Sequence, residues 1–181
     1  MSISETIAKR KAVRAYLDQP VSSDDVDAIV EAGRWAPNAG PYHVTVVRRA
    51  QVRQRLDEAT HRGMLDSGIE FLKMRASLPG YRPMYGAPVA ILLSAPAGPY
   101  SGVNCALAAE NMVLQATELG LASCFIVTPG LALNSDAELA KEAGLPEGYA
   151  FQCAVLVGYP AASDPYSKPD RQPKGTVGYI D

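Results

Sequence analysis

Residues 9–16 read Lys9-Arg10-Lys11-Ala12-Val13-Arg14-Ala15-Tyr16, placing Lys9, Arg10, Lys11 and Arg14 close together in a chain of net charge −2. Charge concentrated this sharply fits one anionic ligand at one place better than a generally basic surface. Just upstream, Ser2 and Glu5 stand at capping-box spacing and Ile3 and Ile7 are four apart, which predicts a short first helix ending in the basic run. Cations in a last helical turn also offset the helix dipole without any ligand. Both readings stand on this stretch alone; residues further along the chain separate them.

Ser22 or Ser23 caps a second helix, with Asp24 and Asp25 in its first turn and Val26, Ile29 and Val30 as its apolar stripe, stopping before Pro37. Residues 43–47 (HVTVV) are β-branched and predict a strand. A polar helix is expected over 50–76, with Leu56, Met64 and Leu65 inward, although Gly63 and Gly68 weaken its continuity. Val89 to Leu93 is a continuous apolar run, as in a strand buried on both faces. Residues 104–119 form the most hydrophobic helix, and Ala106, Ala108, Ala109 and Ala116 leave small or apolar residues on nearly every side. Such a helix is expected to be surrounded by protein. Strands come next over 121–127 and 151–157, separated by a short helix with Ser135 and Glu138 at capping-box spacing. Helices alternating with four or so strands, without a βαβ nucleotide fingerprint, predict an α+β fold in which helices flank a mixed sheet.

A chain of 181 residues, 48% hydrophobic, can bury a real core and reads as one domain over 1–181, with 161–181 as a polar, Pro-rich C-terminal extension. The near-neutral charge argues against nucleic acid or a membrane as partner. Cys105, Cys124 and Cys153 lie in apolar contexts and read as buried thiols in a reducing, cytoplasmic setting, with no metal-ligand spacing among them. His43 and His61 have no partner visible in sequence, and Glu110, on the apolar helix, is expected to need an ion pair or a cap. With no nucleophile elbow and no Walker loop, any chemistry has to come from a cofactor.

The succession from Arg10 to Tyr16 resembles the N-terminal signature of the FMN-dependent nitroreductase family, Arg-Arg-Ser-x-Arg-x-Phe/Tyr. Four further segments match that family in order: 31–42 (EAGRWAPNAGPY), 85–95 (YGAPVAILLSA), 104–126 (NCALAAENMVLQATELGLASCFI) and 144–160 (GLPEGYAFQCAVLVGYP). The resemblance covers nearly the whole chain. Two departures stand out. Ala12 occupies the place of the family's Ser, and the second motif is shortened, with Asn38 for the Asn, Gly40 for the Gln, Pro41 for the Pro and Tyr42 for the Trp.

The resemblance implies a homodimer that binds FMN, with NADPH or NADH as hydride donor and a small electron acceptor, such as a nitroaromatic or a quinone. It implies that Arg10 grips the flavin phosphate or ribityl chain, with Lys11 and Ala12 beside it, and that Arg14 reaches the pyrimidine end of the ring. Pro37 and Asn38 stand beside the ring on the same grounds, and one of Ile126, Val127 and Thr128 offers a backbone N–H to flavin N5. Arg171 is the match for a phosphate-facing basic residue, with Lys174 as its rival. No side chain is expected to act as an obligate acid or base. A competing reading, favoured by Ala12 and the shortened motif, is a flavin-binding carrier, sensor or partner-dependent subunit without turnover.

Overall fold

The computed structural model describes residues 1–166 and 173–180. Its centre is a four-stranded sheet in the order β1-β2-β4-β3, from β1 (His43–Val47), β2 (Val89–Pro96), β3 (Ala122–Ile126) and β4 (Tyr149–Gly158). Every strand pair is antiparallel. The α+β class therefore holds, while the parallel element expected of a mixed sheet is confined to one isolated bridge, Ala12 to Ser123.

β2 is buried along almost its whole length, and its alternate residues feed two cores. Val89, Ile91, Leu93 and Ala95 face one cluster with Cys105, Ala108 and Met112 of α5 (Ser101–Glu118) and Val26 and Ile29 of α2 (Ser23–Arg34). Ala90 and Leu92 face a second cluster with Leu56 of α3 (Ala50–Asp66) and Leu139 of α7 (Ala137–Glu142). On β4, Cys153, Val155 and Val157 join the first cluster, and Ala154, Leu156 and Phe151 the second. Phe151 and Ala154 share a face despite their odd spacing because the register with β2 shifts between Leu93 and Ser94, leaving Gln152 as the extra residue. Each fully buried Val, Leu or Ile here contributes about 1.5–3 kcal/mol relative to exposure.

Four local expectations are corrected. The first helix, α1 (Ile3–Lys9), keeps its capping box but stops at Lys9, and Arg10 is already extended (φ −55°, ψ 127°). The sheet edge is the competitor: Val13 N–H donates to the Ser123 carbonyl at 2.9 Å and buries its side chain. The helix expected over 50–76 divides into α3 and α4 (Glu70–Ala76), interrupted around Gly68. The cap of α7 is Asp136, whose carboxylate accepts from Leu139 N–H at 2.9 Å. Ser135 instead donates to Leu131 and Ala132 carbonyls at the end of an unforeseen turn, α6 (Gly130–Leu133). Finally, α5 is not surrounded by protein within one chain: Val103 (54%) and Leu107 (42%) are exposed on it.

Candidate functional site

Residues 10–17 leave α1 and run along the edge made by β3 and the end of β4. Beyond Val13, Leu17 N–H donates to the Tyr159 carbonyl at 2.9 Å, and Ala161 N–H returns to the Ala15 carbonyl at 3.0 Å. Burial deepens along this segment from Lys11 to the bond that Val13 makes with β3. Val13 is buried, Lys11 is exposed, and the Ala12 methyl, half-buried, packs against the second core cluster.

Arg10 is half-buried; its Nε lies 3.8 Å from Oε1 of Glu110 on α5. Glu110 thus has the ionic partner expected of it, yet its side chain is 57% exposed. Arg14 is held at both ends by residues 164–166. Its backbone N–H donates to Asp164 Oδ2 at 2.8 Å, and its Nη1 donates to the Tyr166 carbonyl at 3.4 Å. The other oxygen of Asp164 accepts from Tyr166 N–H at 2.9 Å, closing the turn. Sequence reasoning missed Asp164 and Tyr166 because nothing local marks them as partners of a residue 150 positions away.

Beneath this segment lies Cys124. Burial pushes its thiol up to about 11, with Asp164 adding to the rise and the positive fields of Arg14, Arg10 and Arg75 opposing it. Burial also raises Cys105 to about 11 and Cys153 further. Beside Cys124, the buried Tyr16 hydroxyl has no hydrogen-bond partner among the described residues, and burial raises its pKa well above the ordinary tyrosine value.

β3 ends at Ile126, and Val127 and Thr128 turn into α6 with their carbonyls accepting from Gly130 (3.1 Å) and Leu131 (3.0 Å). Among the described residues, the N–H groups of Val127 and Thr128 donate to no protein acceptor. Pro37 and Asn38 sit on an exposed loop pinned by buried Asn104, which accepts from Ala39 N–H at 3.0 Å and donates to the Gly40 carbonyl at 3.4 Å. A Cβ at Gly40 would meet only Asn104 Nδ2, at an ordinary contact distance of 3.7 Å. Asn104 and Glu110 are about 9 Å apart along the axis of α5, which separates the asparagine loop from Arg10 within one chain. Arg171 lies outside the described residues, and its rival Lys174 is exposed. His61 Nε2 meets the Ala76 carbonyl at 2.8 Å and joins α3 to α4, while His43 packs edge-on to Tyr149; neither joins this site.

The family model for the nitroreductase family matches residues 7–159. A crystal structure of a nitroreductase with bound FMN from Bacteroides fragilis NCTC 9343 is 31% identical, covers 100% of both chains and superposes with a TM-score of 0.87. A second nitroreductase crystallised with FMN, from Desulfitobacterium hafniense DCB-2, is 29% identical over 98% of this chain and 100% of its own, with a TM-score of 0.84. An NADPH-dependent oxidoreductase of Staphylococcus epidermidis is 25% identical over 94% of this chain and 70% of its own length. With the matched span running from α1 through β4 and including the Arg10–Arg14 segment, this chain belongs to the nitroreductase family.

Proposed function

We propose that the protein is an FMN-dependent oxidoreductase that takes a hydride from NADPH or NADH and passes reducing equivalents to a small acceptor such as a nitroaromatic or a quinone. The observation that carries this reading is that the segment holding Arg10 and Arg14 is tied to β3 by the bond from Val13 N–H to the Ser123 carbonyl, and that β3 ends, among the described residues, with two unengaged backbone donors. The cations suit a phosphate and a ring that becomes anionic, and the donors suit a ring nitrogen, so the residues fit FMN. When bound, FMN supplies the hydride-accepting centre that no side chain here can provide.

The chain's own groups then have separable roles. Arg10 offers a planar fork for two phosphate oxygens, and exposed Lys11 adds a point charge. Arg14, fixed by Asp164 and Tyr166, presents positive charge to the pyrimidine end of the ring. Val127 or Thr128 supplies the backbone donor, while Pro37 and Asn38 reach the ring from a second subunit. The test is direct. The protein should bind FMN more tightly than riboflavin, and NADPH or NADH should bleach the bound flavin within seconds in a stopped-flow instrument. Binding without bleaching would instead favour a flavin carrier or sensor.

We further propose a homodimer. Ile3 (80% exposed) and Trp35 (79%) line, with Leu114, a groove of about 390 Å³, and Val103 and Leu107 extend the apolar surface along α5. Apolar residues in such a cluster mark an interaction surface, and obligate dimers commonly bury more than roughly 2,000 Å². Sedimentation equilibrium should give a dimer at micromolar concentration; a flavin-loaded monomer would overturn this.

A further inference from the structure

We infer that Arg75 is a positioning residue for Arg14: by stacking on Tyr166 it fixes the 164–166 turn that orients the Arg14 backbone and guanidinium. The inference rests on the proposed flavin role of Arg14 for its functional meaning, but the latch itself is independent of any ligand.

The latch has two halves. On one side, the Arg75 guanidinium carbon lies 4.7 Å from the Tyr166 ring centroid and 5.4 Å from that of Tyr81. Tyr166 also meets Tyr81 edge-on at 5.9 Å and Tyr85 at 6.0 Å, so α4 and the loop after it form an aromatic seat for this one ring. On the other side, the backbone of the same residue carries the carbonyl that accepts from Arg14 Nη1. The Asp164 carboxylate joins the halves, accepting from Tyr166 N–H with one oxygen and from Arg14 N–H with the other.

The seat is built on a fixed loop. Tyr85 is a non-glycine residue at φ 53°, a left-handed conformation that persists only where the surroundings over-determine it. Buried Asp57 does so, accepting from Met84 N–H at 2.7 Å and from Arg82 Nε at 2.9 Å. Burial disfavours the charge on Arg75, but the Tyr81 and Tyr85 hydroxyls more than offset this, so the cation in the seat is retained. With its ring held in this seat, Tyr166 anchors the carbonyl and the N–H that, together with Asp164, grip Arg14.

Two measurements on Arg75→Gln and Arg75→Lys test this, with Tyr166→Leu as a second route to the same opening. In apoprotein, hydrogen exchange at the Arg14 and Tyr166 amides should accelerate about tenfold in Arg75→Gln and Tyr166→Leu, recover partly in Arg75→Lys, and stay unchanged within β4. Unchanged exchange at both amides overturns the latch whatever the protein binds. In FMN titrations, Arg75→Gln should loosen binding about three- to tenfold, with no further loss in an Arg14→Gln background. Additive losses would overturn positioning and make Arg75 a direct ligand contact. If wild type binds no FMN while the exchange result holds, the flavin reading falls and the latch stands.

Discussion

Arg10→Ala is expected to weaken FMN binding by about tenfold to a hundredfold, because a charge-assisted bond to phosphate typically contributes about 1.5–3 kcal/mol. The end of α1 should survive the change. Arg10 caps α1 through its backbone N–H, which any residue but proline supplies, and its pairing with Glu110 is long, with the carboxylate largely exposed. Exposed pairs of this kind contribute about 0–1 kcal/mol. Two controls make the result specific. Riboflavin affinity should be unaltered, since riboflavin lacks the phosphate. Glu110→Gln should leave FMN binding unchanged or tighter, because it removes a carboxylate competing for the same guanidinium. Flavin-fluorescence titrations of the three proteins at two salt concentrations would measure all of this. Equal FMN affinity for wild type and Arg10→Ala would mean that the phosphate is bound elsewhere.

How much of the molecule is legible in its sequence depends on how local each signal is. The buried strand β2, the capped start of α2 and the capping box of α1 depend on residues a few positions apart, and the structure forms all three. The end of α1 is not legible because its competitor is distant: the acceptor that draws Val13 into extended backbone is Ser123, more than a hundred residues on. The same division runs through the site. Arg10, Lys11 and Arg14 form one short run and announce themselves, whereas Arg75 and Tyr166 meet only after folding and are unremarkable in sequence. The exposed strip on α5 shows a related limit. Composition says that a helix wants apolar surroundings, but not whether its own chain or a second copy provides them.

Gly158→Ala is the substitution expected to damage fold and site together. A Cβ there would lie 2.6 Å from Pro88 Cδ, 2.9 Å from Pro88 Cγ and 2.9 Å from Tyr16 Cδ1, all closer than real contacts allow. Neither neighbour yields easily. The Pro88 ring is rigid and stands directly before β2, whose Val89 pairs with Val157 beside the substituted position. The Tyr16 side chain packs against the second core cluster, and its backbone is bridged to Pro160. Overpacking of this kind costs about 1–3 kcal/mol. Displacement of Tyr16 should shift the 10–17 segment that carries it, and Arg14 would move with Tyr16. The expected result is therefore a lower melting temperature accompanied by weaker FMN binding, while Gly102→Ala, whose new methyl group would meet only Gln152 Oε1 at 3.6 Å, should melt at or above wild type. Thermal melts with and without FMN would distinguish the cases. Loss of stability with FMN affinity intact would show that the strain is absorbed at Pro88 and the start of β2, leaving the binding segment in place; no loss at all would mean that Tyr16 and Pro88 do not close on Gly158.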